Sequence, residues 1–515
     1  MINPFRWLDN AFPTKLKMGG YEGASTTRRL SSWGITSYGP NSVIEGSITS
    51  LRSRSRDLAR NNSEGASGVG VMTANMVGRG ITPKWNTGNK NLDKQIKALW
   101  DDSVSEIDYD ERCDFSGLQM IATDAVQISG EVLVQFYYPR RNFGYTVPFQ
   151  VKIIEADHLY DGFNHTLENG RSVRMGIEFT KAGKRAAYHV YREHPGDSLV
   201  WGGGSSLNTI RIPASDMLHI FLPKRPGQIR GVPWLASVIT RLRQLDEYED
   251  AELARKKVAA FFGAFITSKS GEPDATMLGG DETTETDSTG ATQTVQSMEP
   301  GLIQYLDEDE DVKFAEPADV GGNYEVWIKR QLHAIAAAWG ITYEQLTGDL
   351  KGVTYSSIRA GLLEFRRRCQ MLQNVLLINQ FCKPIVNRWL DMAVLSGALK
   401  IDLEDYVLNK KKYQKTIWYP DGWDWVDPEK EAKGRHLEMR DGTKSRRQVV
   451  AEQDRDVEEL DAEIAEDNKR ADELGLIFDS DPRRVSASGV KHKTEGSGSS
   501  PGNPVNDSGG GMEDE

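Results

Sequence analysis

The chain is short of cysteine, of long apolar runs and of recognisable catalytic motifs, and each shortage closes off a class of protein. Three cysteines in 515 residues, Cys113, Cys369 and Cys382, cannot make a disulfide framework, so a reducing compartment is expected. The longest apolar run, Val258 to Ile266, falls far below the roughly 20 residues of a membrane span. The opening MINPFRWLDNAFPTKLK lacks an apolar core segment, so neither secretion nor membrane insertion is expected. GxxxxGK[ST] is missing, and Gly183-Lys184 stands in a basic hairpin turn without the preceding glycine, which argues against P-loop ATP hydrolysis. GxSxG is missing too. His189 and His194 have no third ligand at metal-site spacing and read as structural. With neither a zinc finger nor a basic helix spaced for a groove, a sequence-specific nucleic-acid reader is not expected.

Basic residues number 63 against 75 acidic, a net charge of −12, which speaks against coating nucleic acid with a broadly basic surface. The excess is concentrated. Between Lys269 and Val320, 14 acids face only Lys269 and Lys313, so this one segment accounts for the whole −12 and leaves the remainder near neutral. Its middle, Asp281 to Thr294, is Thr, Ser, Gly and acid with almost nothing to bury, and reads as a mobile excursion. The run Asp307, Glu308, Asp309, Glu310 and Asp311 has the oxygens to bind a divalent cation. It lacks a glycine or a bidentate partner at loop spacing, so a solvated or partner-facing edge is the preferred reading.

What is present is a long alternation of helix and strand signals, too long for one ordinary core and suited to two to four units at roughly 150 residues each. Residues 1–40 read as an arm without periodicity. A helix is expected from Ile44 to Arg60, with Ile48, Leu51 and Leu58 inward. Its Arg52, Arg56 and Arg60 stack one turn apart, as a solvated face in preference to a phosphate contact. Further helices are marked by Val69, Met72 and Met76 up to Gly78, by Leu92, Ile96, Leu99 and Trp100, and by Leu118, Ile121, Ala125 and Ile128. After Gly130 the period becomes strand-like at Val132–Tyr138, Phe149–Ile154, Gly176–Thr180, Ala187–Arg192 and Met217–Leu222, so the fold class is α+β with a mostly antiparallel sheet. Gly231-Val-Pro-Trp opens a helix to about Phe261 with Leu235, Ile239, Leu242 and Leu245 on its apolar side. The acidic insert is bracketed by strand-like Ala264–Thr267 and Gly301–Leu306, and Ile328, Leu332, Ile335 and Trp339 mark the next helix.

The stretch Gly340 to Leu376 organises the rest. Gly340, Gly348 and Gly352, with Lys351 among them, form a loop that feeds a long helix. Ile358, Leu362, Phe365, Cys369, Leu372 and Leu376 alternate in steps of four and three as a seam, with Arg359, Arg366, Arg367 and Arg368 off it. Pro384 is expected to kink or end that helix, and Ile385, Trp389 and Leu395 carry a shorter one to Gly397. Asp427-Pro428 starts another helix, and Ser445 with Gln448 matches a capping box for an acidic helix to about Gly475. From Ser486 onward the composition reads as disordered.

Three runs, YEQLTGDLKGVTYSSIRAGLLEFRRR, QIRGVPWLASVITRLRQLDEYEDAELARKK and WDWVDPEKEAKG, closely resemble the portal proteins of tailed bacteriophages of the lambda type, within roughly residues 40–475. The order helix, acidic β-element, helix, glycine loop, long helix is similarly that of stem, clip, stem, tunnel loop and spine. The resemblance implies an arm at 1–43, an α+β wing at 44–231, a stem helix at 232–261, a clip with the acidic insert at 262–321 and a second stem helix at 322–340. It further implies a tunnel loop at 341–356, a spine helix at 357–396, a wing return at 397–424, helical crown at 425–475 and a disordered tail at 476–515.

The same resemblance implies a non-enzymatic dodecameric ring at one capsid vertex of the virion, assembled in the host cytoplasm, with no cofactor. Double-stranded genomic DNA would be driven through its axis by a terminase whose large subunit docks on the clip, and later ejected. Head-tail adaptor proteins, the major capsid protein and scaffold would be the other partners. Gly348, Lys351, Gly352, Thr354 and Tyr355 would then face the DNA channel, and Asp307, Glu308, Asp309, Glu310 and Asp311 would form the docking edge. The physics agrees with such a passage: each fixed cation on a channel wall adds a counterion-release attraction that holds phosphate in place, so acidic walls with one loop lysine per copy allow transit. The blander reading of Lys351 is a loop lysine kept for solubility. A different class, a metal-dependent nuclease using Asp307, Asp309 and Asp311, stays open on the residues alone, as does a passive capsid scaffold without a bore.

Overall fold

The computed structural model describes residues 37–140, 143–168, 170–197, 209–260, 324–423, 428–453 and 455–478, with four strands between 264 and 314 and the single residues 32, 34, 481 and 483. The chain divides into two units, residues 1–418 and 419–515.

The first unit opens on helices. The single helix expected from Ile44 is two, Pro40–Glu45 and Ile48–Asn61, broken at Gly46-Ser47. Asn62 then caps Ser63–Val77, its side-chain oxygen accepting the Gly65 amide at 2.6 Å, and the helix stops at Gly78. Lys90–Ser103 and Phe115–Ser129 follow. The last is helical as its spacing predicts, but it buries Leu118, Ala122 and Val126 and leaves Ile121 exposed. It carries two apolar rows, and periodicity does not say which one meets the sheet.

The five β-branched runs form antiparallel strands as expected, but they divide between two sheets where one was expected, and three further strands, His165–Thr166, Ser172–Arg174 and Thr209–Pro213, were not marked. Glu131–Tyr137 is the centre of three strands, between Gln150–Glu155 and Met217–Phe221. A five-strand meander runs His165–Thr166, Ser172–Arg174, Ile177–Phe179, Arg185–Tyr191 and Thr209–Pro213. Leu133, Ile154 and Met217 of the first sheet share a core with Ile177, Tyr188, Val190 and Ile212 of the second.

The arginine stripe overturns the solvated-face expectation. Arg52 is buried and paired with Glu131 at 3.2 Å, Asp157 at 3.4 Å and Asp161 at 3.6 Å, and Arg56 bonds Asp157; only Arg60 faces solvent. Glu131, buried in the central strand, also accepts from Arg230 Nε at 2.8 Å and from the Gly231 amide at 2.6 Å, and pairs with His219 at 2.9 Å. A buried anion is tolerated only with this degree of pairing. Its consequence is positional, because Arg230 and Gly231 lie directly ahead of the Trp234–Ser237 turn and the helix Ile239–Ala260. There Leu235, Ile239, Leu242 and Leu245 are buried as expected.

Ile239–Ala260 pairs with Tyr324–Trp339, where Tyr248 meets Trp327 at 4.4 Å between ring centres. Between them, Ala264–Ser268 pairs antiparallel with Glu310–Phe314. The expected partner strand Gly301–Leu306 lies outside the described residues. Within the insert read as a mobile excursion, Glu282–Thr286 and Thr292–Gln296 form a five-pair antiparallel ladder. Its threonines, Thr283, Thr284, Thr286, Thr292 and Thr294, are strand formers that a compositional reading missed.

The long helix starts at Tyr355 and runs without a break to Leu395. Phe365, Cys369, Leu372 and Leu376 of the seam are buried, while Ile358 and Leu362 near its start are half-buried. Pro384 does not end it. The stretch Gln373–Cys382 is π-wound, with the Lys383 amide bonding the Ile378 carbonyl five residues back, so the turn ahead of Pro384 is already wide enough for a ring that lacks an amide hydrogen. Trp389 then packs edge-on to Trp100 at 5.0 Å and donates to Ser103 Oγ at 3.0 Å, fastening the helix to the Lys90–Ser103 segment.

The second unit has three described helices. Pro428–Arg440 begins at the expected proline. The Ser445–Gln448 capping box is present, but it opens only the short Arg446–Ala451, and Asp456 caps a separate helix Val457–Leu474 that ends on left-handed Gly475. Arg446 with Asp461 at 2.5 Å and Arg447 with Glu458 at 3.0 Å bind those two helices together.

Candidate nucleic-acid interface

The glycine loop is built by capping at both ends. Gly340, with φ +82°, ends Tyr324–Trp339. Thr342 and Gln345 form a reciprocal capping box that opens a short helix, Tyr343–Thr347, inside the segment expected to be loop. Left-handed Gly348 closes it. Gly352, with φ +72°, turns the chain again, and Thr354 with Ser357 makes the box that starts the long helix at Tyr355. Thr354 and Tyr355 thus belong to the helix start, which narrows the free loop to residues 348–353.

Within that loop Asp349 is the local anchor. It accepts the Lys351 amide at 3.0 Å and the Tyr343 hydroxyl at 3.2 Å. The amide of Lys351, ahead of the other partners, holds the Asp349 carboxyl below its ordinary range. Tyr343 stacks on His333 at 4.3 Å with Lys329 Nζ 5.1 Å from its ring, so the loop is tied back to the preceding helix. Lys351, Gly352, Thr354 and Tyr355 remain exposed, beside the exposed Leu350. The sequence reading therefore named residues that do come together on one surface turn, but it missed Asp349 and Tyr343. The Asp-Leu-Lys spacing of an Asx turn was the available signal for the former.

The acidic run is only partly described. Asp311 and Glu310 sit opposite Thr267 and Ser268 on the strand pair, while Asp307, Glu308 and Asp309 lie outside the described residues. Among the described residues one group has metal-ligand proximity, Glu155, Asp157 and His194, and the sequence reading had found no such partners for this histidine. It does not fit a cation. The Gly196 amide donates to His194 Nδ1 at 3.1 Å, which puts the ring proton on Nε2, facing Glu155 at 3.2 Å, so neither nitrogen offers a lone pair to the site. The Arg56 guanidinium already supplies the positive charge between Glu155 and Asp157.

The described residues thus set an exposed, glycine-flanked loop at the start of a long helix in a mixed helix-and-sheet body. The lambda family of phage portal proteins matches residues 26–373, and the chain belongs to that family of structural proteins. A probable portal protein of Halomonas phage phiHAP-1 is 29% identical over 482 residues, covering 91% of this chain and 90% of that one. Portal protein B of Escherichia phage lambda is 22% identical over 382 residues, covering 67% and 69%. Among solved structures, the neck of the native GTA particle computed with C12 symmetry is similar at 14% identity and a TM-score of 0.41, covering 76% of this chain and 89% of that one. No helix among the described residues is long and apolar enough to cross a membrane.

Proposed function

We propose that copies of this chain close into a head-to-tail ring, dodecameric, at one capsid vertex, and that double-stranded genomic DNA passes through it inward under a terminase and outward at ejection. The observation that carries the reading is that the family match runs through the exposed loop, so the loop belongs to the shared portal body. Gly348, Lys351 and Gly352 face the duplex, Thr354 and Tyr355 anchor the loop's far end, and one lysine per copy gives a weak repeated phosphate contact. The stem is Ile239–Ala260 with Tyr324–Trp339, the clip lies between them, and the long helix is the spine. The acids from Asp307 to Asp311 form the docking edge for the terminase large subunit and, later, for head-tail adaptors. Major capsid and scaffold proteins surround the ring during assembly in the host cytoplasm.

Lys351→Ala should leave rings intact in electron micrographs yet lower the mass of DNA packaged per particle several-fold, with Lys351→Arg close to the unaltered chain. Equal packaging by all three would remove the loop's role. Exchanging the five acids for Asn and Gln should abolish terminase pull-down, and unchanged pull-down would remove the docking edge. A chain that stays monomeric with scaffold and shell subunits supplied would end the whole reading.

A further inference from the structure

Two surfaces of the first unit face away from its core and match each other in chemistry. On Phe115–Ser129, Met120, Asp124 and Ile128 lie one turn apart on a single row. They line, with Val69, Ala74 and Val77 of Ser63–Val77, a groove of about 610 Å³. No lysine or arginine lines it. Asp124 accepts the Thr73 hydroxyl, and burial pushes its carboxyl up; Arg56, Arg60 and Arg112 line the neighbouring hollow that Asp124 and Ile128 also border. On the long helix, Leu363, Arg367 and Met371 form a row of the same pattern, apolar, charged, apolar, with the opposite sign. Leu363 is 51% and Met371 53% exposed, and Arg367 reaches Glu364 of its own helix at 3.6 Å in open solvent.

The placement of the two rows sets the kind of contact. Met76, Ala122 and Val126 pack with Leu376, Leu377 and Phe381, so the two shorter helices face the long one through that side. Two residues along a helix is about 200° around it, which turns Asp124 away from Ala122 and Val126, and Arg367 away from Phe365 and Cys369. Groove and ridge therefore lie on opposite sides of one packed layer. A surface that complements a different surface of an identical chain makes a heterologous contact, and repetition of such a contact generates a ring when the rotation closes.

We infer that the groove floored by Met120, Asp124 and Ile128 receives the Leu363–Arg367–Met371 ridge of a second copy of this chain, with Arg367 on Asp124. The inference rests on the ring reading above and assigns it a contact. Asp124→Arg and Arg367→Asp should each lower the ring population at least tenfold by mass photometry, with the helical circular-dichroism signal of the folded chain retained. The double exchange should restore it to within threefold. Rings that survive either single exchange, or a folded double variant no better than the singles, would overturn the assignment. Should Asp124→Arg not fold, the exposed pair Met120→Cys with Met371→Cys is treated with a short bismaleimide. A ladder ending at the closed ring is expected from the pair and not from either single variant. Rings without a ladder reject this contact and leave the ring standing, whereas an unaltered chain that forms no ring rejects both.

Discussion

The Gly231 amide donates to Glu131 Oε2 at 2.6 Å at a point where two stretches of backbone touch: a Cβ on Gly231 would lie 2.1 Å from the Gly130 carbonyl oxygen. The chain leaving the sheet toward the Ile239–Ala260 helix is thereby held at one angle by steric closeness and by a buried carboxylate. Glu131→Gln keeps the shape and removes the charge, leaving Arg52 and Arg230 with Asp157 and Asp161 alone. Removing one partner of a buried pair costs about 3–5 kcal/mol, and the remaining acids place this case at the lower end. Denaturant unfolding should show about 3 kcal/mol lost, and a loss under about 1 kcal/mol would mean that Glu131 does not carry the junction.

The same cluster makes stability depend on pH through His219. Burial, against the attraction of Glu131, pushes its imidazole down from 6.5 to about 4. Nε2 faces Glu131, and Nδ1 is buried without a hydrogen-bond partner, so a second ring proton would have nothing to bond. Between about 6.5 and about 4 the unfolded chain binds a proton that the folded one refuses, so stability rises with pH across that window and is lost as pH falls through it. The Glu131 carboxylate, held below its ordinary 4.5, adds its own loss only beneath that value. His219→Gln keeps an amide donor for Glu131 and should flatten the slope of stability between pH 6.5 and 4.5. An unchanged slope would assign it to other groups.

How far the sequence could be read follows from how local each signal was. Phe365 to Leu376, Leu235 to Leu245 and the strand runs were legible because a buried face repeats along its own element. Arg52 was not, since its partner Glu131 is 79 residues away and a row of arginines on a helix looks the same facing solvent or facing buried acid. Pro384 does not end the helix, one of the two outcomes expected of it: a proline announces a lost amide, but the π-wound turn ahead of it, with Leu377, Phe381 and Cys382 buried, leaves no such mark in the sequence. At the loop, the glycines and Lys351 were legible as turn chemistry, whereas the tie from Asp349 to Tyr343 needs the intervening Tyr343–Thr347 helix to bring them together.

That tie makes a prediction about motion. Asp349→Ala removes the acceptor of both the Lys351 amide and the Tyr343 hydroxyl, and Tyr343→Phe removes only the second. Hydrogen exchange at the Lys351 amide should speed up at least tenfold in the first variant and about twofold in the second, with exchange in the seam from Phe365 to Leu376 unaltered. Equal protection of the Lys351 amide in all three proteins would show that the loop is held by something else.

Gly340 and Gly352 separate two reasons for keeping a glycine. Both have positive φ, so alanine at either costs about 1–2 kcal/mol from the backbone alone. At Gly352 nothing lies within 4 Å of the added carbon, and the cost should stop there. At Gly340 the carbon would sit 2.1 Å from an Arg368 guanidinium nitrogen, so the arginine must also move off the start of the loop. Because that obstacle is the far end of an exposed, flexible side chain, the added penalty is small: Gly340→Ala should melt only slightly lower than Gly352→Ala, and adding Arg368→Ala should recover that difference in the first background while changing little in the second. If Arg368→Ala shifts both backgrounds equally, the guanidinium does not rest on Gly340, and the two glycines serve the turn in the same way.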